Sequence, residues 1–310
     1  MIIIEKITDA KLWDQIVSKS GQYSLFCSSS FLLGLTCPYE WYFVKEKENI
    51  KMAVLIFKKK NEAKYFFQDF NYNQGFYFFD NHLIERKKIH ERIKLIDLFL
   101  KFISKKNDEL RFSLHYSLKD VRAFQWFQYP KKKIQINCVY TSIVDLTKFN
   151  DFNDFLKSIR YERRREFKIY NNSHYKVVQK NDLEKFIKFY ELLESDVGSF
   201  AHKTHIKLIR NAYNNSFCRI NFLFDGDKII AATLFYVFKD KLFYAFSVSD
   251  PNYKKKISCS VPLILEQIDY GIKNKIKTLD FMGANSPNRS DYKESYGGNV
   301  EFFFELIYNK

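Results

Sequence analysis

The sequence predicts an α/β protein (α+β, with mixed sheets) of two domains, in each of which a mostly antiparallel sheet is flanked by helices. The chain has 310 residues, more than one compact domain usually contains. Hydrophobic residues make up 46% of it and aromatic residues 18%, which excludes the disordered class. The order strand, turn, strand, loop, helix, strand occurs over 52–114 and again, at similar spacing, over 229–282. This repeated order predicts two related domains, 1–150 and 151–310.

In the N-terminal half, hydrophobic periodicity predicts a helix at Lys11–Ser18 and a longer amphipathic helix at Ile89–Ile103. Alternating and β-branched or aromatic stretches predict four strands, at Trp41–Lys45, Met52–Lys58, Lys64–Asp69 and Leu110–Leu114. The stretch 145–172 is predicted as a long helical connector to the second half.

The C-terminal half begins with a predicted strand at Lys176–Gln179. Its predicted helices are Asp182–Ser195, Thr204–Asn214 and Ser260–Lys273. Its remaining predicted strands are Arg219–Phe224, Ile229–Phe238, Leu242–Val248, Thr278–Met282 and Asn299–Tyr308.

The balance of charge favours a polyanionic partner. Lys and Arg number 51 against 36 Asp and Glu, a net charge of +15, which suits nucleic acid, an acidic membrane or a phosphate-rich small molecule. No helix-turn-helix, zinc or RNA-recognition signature is present, so we expect neither a stable nucleic-acid complex nor a bound metal. The five cysteines contain no CxxC pair, and no apolar run approaches the ~18 residues of a membrane helix. These features predict a cytoplasmic protein without a membrane span, whose oligomeric state stays open.

A candidate anion site follows the predicted strand Leu242–Val248. Pro262 lies in the first turn of the helix after it, where the missing N–H costs nothing. Free amides at a helix N-terminus, reinforced by the helix dipole, bind anions such as a diphosphate. The loop before that helix carries three lysines and two serines: Lys254, Lys255, Lys256, Ser258 and Ser260. The alternative is that the lysines form a solvated charged turn.

Two further patterns resemble a known family. The first is the order Asp280, Phe281, Gly283, then Tyr292, Lys293, Tyr296 and Gly297; the second is the helical pattern of Ser158, Arg160, Arg163 and Arg164. In this order and spacing the chain resembles the FemAB-like family of GNAT acyltransferases, whose members often carry two GNAT-like domains in tandem. The resemblance spans essentially the whole chain and is strongest over Ser158–Tyr308.

The resemblance implies a tandem GNAT fold with the coenzyme A site in the C-terminal half. In that family the strand before the loop pairs with the pantetheine arm, and the loop holds the diphosphate. The implied cofactor-binding residues are Phe246, Ser247, Val248, Lys254, Lys255, Lys256, Ile257, Ser258, Cys259, Ser260 and Asn285. The loop departs from the family pattern because it contains no glycine. The N-terminal half has NYNQGFYFFDN at the equivalent place and is interpreted as a degenerate, non-catalytic GNAT-like domain.

Acyl transfer to an amine needs a neutral amine, donors for the oxyanion and a proton for the leaving thiolate. Tyr292 or Lys293 would protonate sulfur or orient the acyl chain; the alternatives are a core tyrosine and a structural lysine. His202, in a predicted loop, is the candidate catalytic histidine, and His205 of the same loop is an alternative. Further alternatives for the base are Glu194, Asp196 and a chain of waters.

The preferred acceptor is an amino sugar that is carried on a nucleotide and used to build surface polysaccharide. The predicted partners are therefore acyl-CoA and a phosphate-bearing small molecule. Arg160, Arg163 and Arg164 recur at i, i+3 and i+4, which would place them on one helical face able to grip a phosphate. Gln74, with its aromatic neighbours, and Asp196 complete the candidate substrate residues, although Gln74 is also compatible with simple packing. The alternative function is a Fem-type tRNA-dependent aminoacyltransferase of peptidoglycan synthesis. Many enzymes of that type resemble this chain but carry a long helical-hairpin insertion in the second domain, and the stretch 182–214 is too short to contain it.

Overall fold

A computed structural model describes residues 1–57, 72–193, 199–253 and 258–310. The chain forms two compact units: unit 1 comprises Met1–Val139 and Phe302–Lys310, and unit 2 comprises Tyr140–Glu301. The boundary between Val139 and Tyr140 lies eleven residues before the division between 150 and 151 that the sequence predicts, and the last nine residues belong to unit 1.

Unit 1 is built on an antiparallel sheet. Its strands pair in the order β1, β2, β3, β5 and the end of β12, with β4 also pairing with β3. The strands are β1 (Ile2–Ile7), β2 (Tyr39–Glu46), β3 (Asn49–Phe57), β4 (Phe76–Phe78), β5 (Glu109–Ser113), the start of β6 (Ile134–Asp145) and the end of β12 (Asn299–Asn309). The helices are α1 (Ala10–Val17), α2 (Ser29–Leu32), α3 (Glu85–Ile103) and α4 (Arg122–Trp126).

Unit 2 has a mixed sheet. Its strands after β6 are β7 (Lys176–Gln179), β8 (Cys218–Asp225), β9 (Lys228–Phe238), β10 (Lys241–Ser249) and β11 (Thr278–Asp280). They pair in the order β6, β11, β10, β9, β8, β7, and among the described residues of this unit the pairing of β10 with β11 is parallel and the others are antiparallel. The helices are α5 (Phe152–Ser158), α6 (Tyr161–Asn171), α7 (Leu183–Tyr190), α8 (Ser199–Asn214), α9 (Ser260–Lys273) and α10 (Pro287–Glu294).

Each unit has its own core. In unit 1 the inner face of α3 packs among buried residues of the sheet, with Phe99 at 0% exposure next to Phe76 and Tyr42. In unit 2 the apolar face of α9 packs on β11 and β6 through residues such as Ile268, next to Leu279 and Val144. The predicted mixed fold of mostly antiparallel sheets flanked by helices is therefore confirmed.

The connector predicted as one helix is broken in two. α5 ends at Ser158, and Ile159 is extended, with φ −85° and ψ 163°. The amide of Arg160 then donates to the carbonyl of Ser295 at 3.1 Å before α6 begins. A tertiary hydrogen bond thus replaces the helical one at this position. The prediction of a continuous helix was wrong.

Two stretches are helical where no helix was expected. Residues 199–205 of the predicted loop that carries the two histidines form the start of α8. The stretch Pro287–Glu294, for which no element was predicted, is α10, with Ser286 at the N-cap position and Pro287 in its first turn. A serine followed by proline is a helix-start signal that was available in the sequence. Strand β1 was also missed, while the predicted strand Lys64–Asp69 lies outside the described residues.

Gly271 of α9 allows this helix to lie close to the sheet. A Cβ at this position would come within 2.8 Å of Leu146 Cδ1, which would have to shift, and within 3.1 Å of Leu242 Cδ1, a tight contact. A side chain here would therefore displace the two leucines from their packed positions.

Replacing Gly271 with Val is expected to lower the free energy of unfolding by about 1–3 kcal/mol, because the core on both sides is already filled. The matched control is Gly21→Val, where a Cβ would meet nothing within 4 Å. Urea denaturation of both variants measures the difference. Equal stability of the two variants would contradict the close approach of α9.

Candidate active site

The two parallel strands of unit 2 separate soon after they pair. β10 and β11 pair only over Lys241–Phe243 and Thr278–Asp280. β10 continues to Ser249, and beyond this short pairing β9 is its only strand partner among the described residues. Its register against β9 shifts between Tyr244 and Phe246, a β-bulge that bends the strand. The edge of β10 beyond the bulge can therefore pair with an extended ligand.

β11 is short because the chain turns away after Asp280. Phe281 donates its amide to the carbonyl of Ser142 on β6 at 2.9 Å. Met282 and Gly283 then both adopt positive φ, 53° and 94°. For a methionine this conformation costs roughly 1–2 kcal/mol, so surrounding contacts must hold the turn in place.

Asp280 fixes the turn from within the unit 2 core. Its buried carboxylate accepts hydrogen bonds from Thr141 Oγ1 at 2.5 Å and from the amide of Met282 at 2.8 Å. Burial raises the pKa of Asp280, and the hydroxyl, the amide and the nearby charge of Lys293 act in the opposite direction. The carboxylate thus locks the left-handed residue directly after β11.

Lys293 of α10 fixes the same turn from the other side. Its Nζ donates to the carbonyl of Met282 at 3.1 Å and to the carbonyl of Gly283. The side chain is buried, and burial lowers the pKa of Lys293 to about 8 although Asp280 opposes the shift. The sequence left open whether Lys293 has a catalytic or a structural role. These hydrogen bonds favour the structural role, and the catalytic role stays a prediction.

Helix geometry explains the spacing of the two tyrosines, the lysine and the glycine in the motif Tyr292, Lys293, Tyr296, Gly297. Tyr292 and Tyr296 lie one turn apart, with ring centroids 5.4 Å and hydroxyls 2.8 Å from each other. Lys293 is rotated about 100° around the helix axis from Tyr292 and reaches the turn after β11 instead. Gly297, with φ 78°, then ends this segment in a conformation that suits glycine.

Tyr292 also contacts the start of α9. Its hydroxyl lies 2.7 Å from Ser260 Oγ, in the first residue of that helix. The guanidinium of Arg163 stacks 4.8 Å above the Tyr292 ring and donates through Nε to Ser295 Oγ at 2.8 Å. We call Ser260, Tyr292, Tyr296, Arg163 and Ser295 the hydroxyl cluster. Burial raises the pKa of Tyr292, so this hydroxyl stays protonated at neutral pH.

The predicted phosphate loop is described only in part. Lys254, Lys255, Lys256 and Ile257 lie outside the described residues. Cys259 is buried in a core cluster, and at this N-cap position no side chain caps α9 in the described part of the chain. The positive end of the α9 dipole therefore adjoins the predicted loop.

The predicted β10 residues differ in what they can offer a ligand. Phe246 and Val248 are buried, and Ser247 between them is half-buried, so this stretch offers a ligand mainly its backbone. Behind the bulge, the ring of His205 lies 5.4 Å from Phe246, and its Nδ1 is 2.7 Å from Tyr190 Oη. His205 is thus a buried helix residue of α8. The side chain of His202 lies outside the described residues, as does Asp196.

The three predicted arginines are not equivalent. Arg160 precedes α6 and pairs with Asp291 on the surface, and exposed Arg164 donates to the carbonyl of Lys157 at 2.9 Å. Arg163 points inward to the other residues of the hydroxyl cluster and also pairs with Glu166. A helical-wheel pattern could not distinguish the inward arginine from the two exposed ones.

The side chains of Gln74 and Asn285 both form hydrogen bonds with main-chain atoms. Gln74 is fully buried in unit 1, where its Nε2 donates to the carbonyl of Phe26 at 2.7 Å. Asn285 is exposed in unit 2, and its Oδ1 accepts from the amide of Tyr140 at 2.7 Å.

The described residues contain no cluster of His, Cys, Asp and Glu that could hold a metal. Among their helices, none is long and apolar enough to span a bilayer.

Comparison with known proteins agrees with this geometry. Residues 153–294 match the family described as Acetyltransferase (GNAT) domain. No curated protein matches the sequence significantly. This part of unit 2, which contains the diverging parallel strands, therefore matches a GNAT acetyltransferase domain.

Solved structures extend the likeness to the whole chain. FemX superimposes with a TM-score of 0.68 at 9% identity, over 99% of this chain and 97% of FemX. A tandem GNAT protein from the clavulanic acid biosynthesis pathway gives 0.59 at 9% identity, over 100% and 98%. L-PGS from Bacillus licheniformis gives 0.57 at 12% identity, over 97% and 92%. The expected FemAB-like tandem GNAT fold is confirmed; at these identities the likeness concerns the fold alone.

The buried Lys293 gives a test by pH. Its pKa of about 8 in the folded state lies below its ordinary 10.5, so the unfolded chain binds more protons between these values. The contribution of Lys293 to stability should therefore rise as pH increases from 8 towards 10.5. Lys293→Met should lack this rise, whereas Lys188→Met, which changes an exposed lysine, should keep it.

The measurement is urea unfolding of wild type and both variants at the two ends of this pH range. Comparing variants with wild type removes the contribution of other groups that titrate there. The same pH dependence in wild type and Lys293→Met would show that folding does not lower the pKa of Lys293.

Proposed function

We propose that the chain transfers an acyl group from acyl-CoA to an amine and binds coenzyme A in unit 2. The observation that supports this most strongly is the open edge of β10 beyond its bulge, close in sequence to the start of α9. A pantetheine arm contains amides that pair with a strand edge as a peptide does. The diphosphate would meet the positive end of the α9 dipole and the charges of Lys254, Lys255 and Lys256.

In the proposed reaction the amine nitrogen attacks the thioester carbonyl, so a C–N bond forms and the C–S bond breaks. Backbone amides near the bulge between Tyr244 and Phe246 would stabilise the oxyanion. The amine loses one proton to a base or to water, and His202 and Asp196 remain the candidates. The leaving thiolate gains one proton, which the protonated hydroxyl of Tyr292 would supply through Ser260.

Changing Lys254, Lys255 and Lys256 together to Ala should weaken acyl-CoA binding without loss of the fold. Charge-assisted contacts contribute ~1.5–3 kcal/mol each when buried and less when exposed, so we expect at least a tenfold rise in Kd. Isothermal titration with acetyl-CoA measures this. The matched control changes Lys157, Lys168 and Lys188, three exposed lysines of unit 2, and should bind as wild type. An unchanged Kd in the first variant would contradict the proposed loop.

The proposed acceptor is an amino sugar carried on a nucleoside diphosphate. The exposed guanidinium groups of Arg160 and Arg164 are suited to hold its phosphates. Arg163 is directed to the hydroxyl cluster and would act indirectly, by positioning Tyr292. Gln74, buried in the unit 1 core, takes no part in this version of the acceptor site.

A thiol-release assay with acetyl-CoA tests the acceptor. Nucleotide-linked amino sugars should react at least tenfold faster than the same amino sugars free, and Arg164→Ala should reduce this preference. Lys168→Ala, a neighbouring exposed cation on α6, is the control and should leave it intact. Equal rates for free and nucleotide-linked sugars would mean that the phosphates are not recognised.

A second candidate is a Fem-type aminoacyltransferase that uses aminoacyl-tRNA as donor. The fold shared with FemX and the net charge of +15 favour it. The two candidates differ in the donor, which is decided by supplying either acetyl-CoA or aminoacyl-tRNA and following release of free thiol or of deacylated tRNA. Turnover with aminoacyl-tRNA and none with any acyl-CoA would replace the first proposal by this one.

A further inference from the structure

One surface of unit 1, formed where α3 and α4 pack together, exposes several large apolar side chains. It surrounds an open cleft of about 890 Å³. Trp126 is 53% exposed and Ile84 is 67% exposed, both lining this cleft. Tyr129, three residues after Trp126, is 74% exposed. Large apolar side chains are more stable when they are buried away from water, so an exposed patch of them indicates an interaction surface. We call it the α3–α4 surface: Ile84, Arg86, Lys87, His90, Lys94, Arg122, Trp126 and Tyr129.

Positive charge surrounds these apolar groups. Arg86 and Lys94 lie two turns apart on the exposed face of α3, with Lys87 beside Arg86 and the His90 ring between them. Within the described ranges, no ion pair joins a carboxylate to Arg86, Lys87 or Lys94. The carboxylates of Glu46 and Glu91 at the same cleft share one cation, since Lys51 lies 3.7 Å from Glu46 and 3.5 Å from Glu91, so the cations still outnumber the carboxylates there.

The basic character continues along the chain after α4. Tyr129 is followed within four residues by Lys131, Lys132 and Lys133, and the first two are exposed. Arg122 lies 5.5 Å from the ring of Trp126 while pairing with Asp120. The surface therefore combines a net positive charge with aromatic and aliphatic groups.

This combination matches the interface of an anionic lipid bilayer. Exposed Trp and Tyr side chains reside at the level of lipid headgroups, where one end is apolar and the other wet. Lys and Arg near the bilayer are attracted to anionic headgroups. Nucleic acid would account for the charge and the aromatic rings but gives no reason for exposed Ile84.

We propose that the α3–α4 surface docks unit 1 on an anionic membrane surface, with Trp126, Tyr129 and Ile84 inserted to headgroup depth. The protein would lie on the bilayer and not cross it. The proposal is independent of the acyl-transfer chemistry, which concerns residues of unit 2.

Tryptophan fluorescence offers a specific readout. The chain has three tryptophans; Trp13 is 0% and Trp41 7% exposed, against 53% for Trp126. Vesicles of phosphatidylcholine with about 40 mol% phosphatidylglycerol, some brominated on the acyl chains, should quench and blue-shift the fluorescence of Trp126, whereas phosphatidylcholine alone should not. Trp126→Phe should still sediment with the anionic vesicles but lose the fluorescence response.

The charge requirement is tested by sedimentation of wild type and two variants. Arg86, Lys87 and Lys94 are together changed to Glu; the control changes Lys11, Lys19 and Lys105 of unit 1 to Glu, so both carry the same net charge. Since each basic residue near an anionic surface contributes roughly fivefold, the first variant should partition about 100-fold less, and the control should remain near wild type. Circular dichroism confirms that both variants are folded.

Three results would overturn the proposal. One is no sedimentation of wild type with anionic vesicles at low salt. Another is an equal loss of binding in both charge variants, which would indicate that only the overall charge of +15 matters. The third is displacement from vesicles by tRNA at concentrations where it binds through Arg86, Lys87 and Lys94, which would assign the surface to nucleic acid.

Discussion

The candidate site depends on the early end of the parallel pairing between β10 and β11. Parallel strands normally continue side by side, and here the pairing stops after Phe243 and Asp280. What stops it is the turn after β11, whose left-handed residues Met282 and Gly283 are held by the buried carboxylate of Asp280 and the buried ammonium of Lys293. Burial raises the pKa of Asp280 and lowers that of Lys293, and hydrogen bonds of both side chains hold this one turn.

The same short helix links that turn to the other half of the proposed cofactor site. α10 directs Lys293 to the turn and Tyr292 to Ser260 at the start of α9. Arg163, from α6, covers the Tyr292 ring and so joins a third helix to the cluster. A displacement of α10 would therefore alter both the open edge of β10 and the start of α9.

Local patterns predicted the elements well, and tertiary contacts limited the prediction of the site. The bounds of α9 and β7 were predicted residue for residue, since Pro262 and the apolar periodicity of α9 and the β-branched residues of β7 lie in the local sequence. The partners of Lys293 are main-chain carbonyls ten and eleven residues away, which no residue pattern reveals. Gln74 and Arg163 were candidates for binding the substrate. In the fold the Gln74 amide donates to the carbonyl of Phe26, in line with the packing alternative, and Arg163 donates to Ser295. The strand β1 and the helix α10 were missed although Ser286 and Pro287 marked the start of the latter.

Amide hydrogen exchange with and without coenzyme A tests the central claim, that the open edge of β10 receives the cofactor. Pairing with the pantetheine arm should slow exchange at 244–249, and binding of the diphosphate should slow it at Ser258–Val261. The strands of unit 1, such as β2 and β3, should exchange as before. Slower exchange in unit 1 with no change along β10 would contradict the account, because the cofactor would then bind elsewhere.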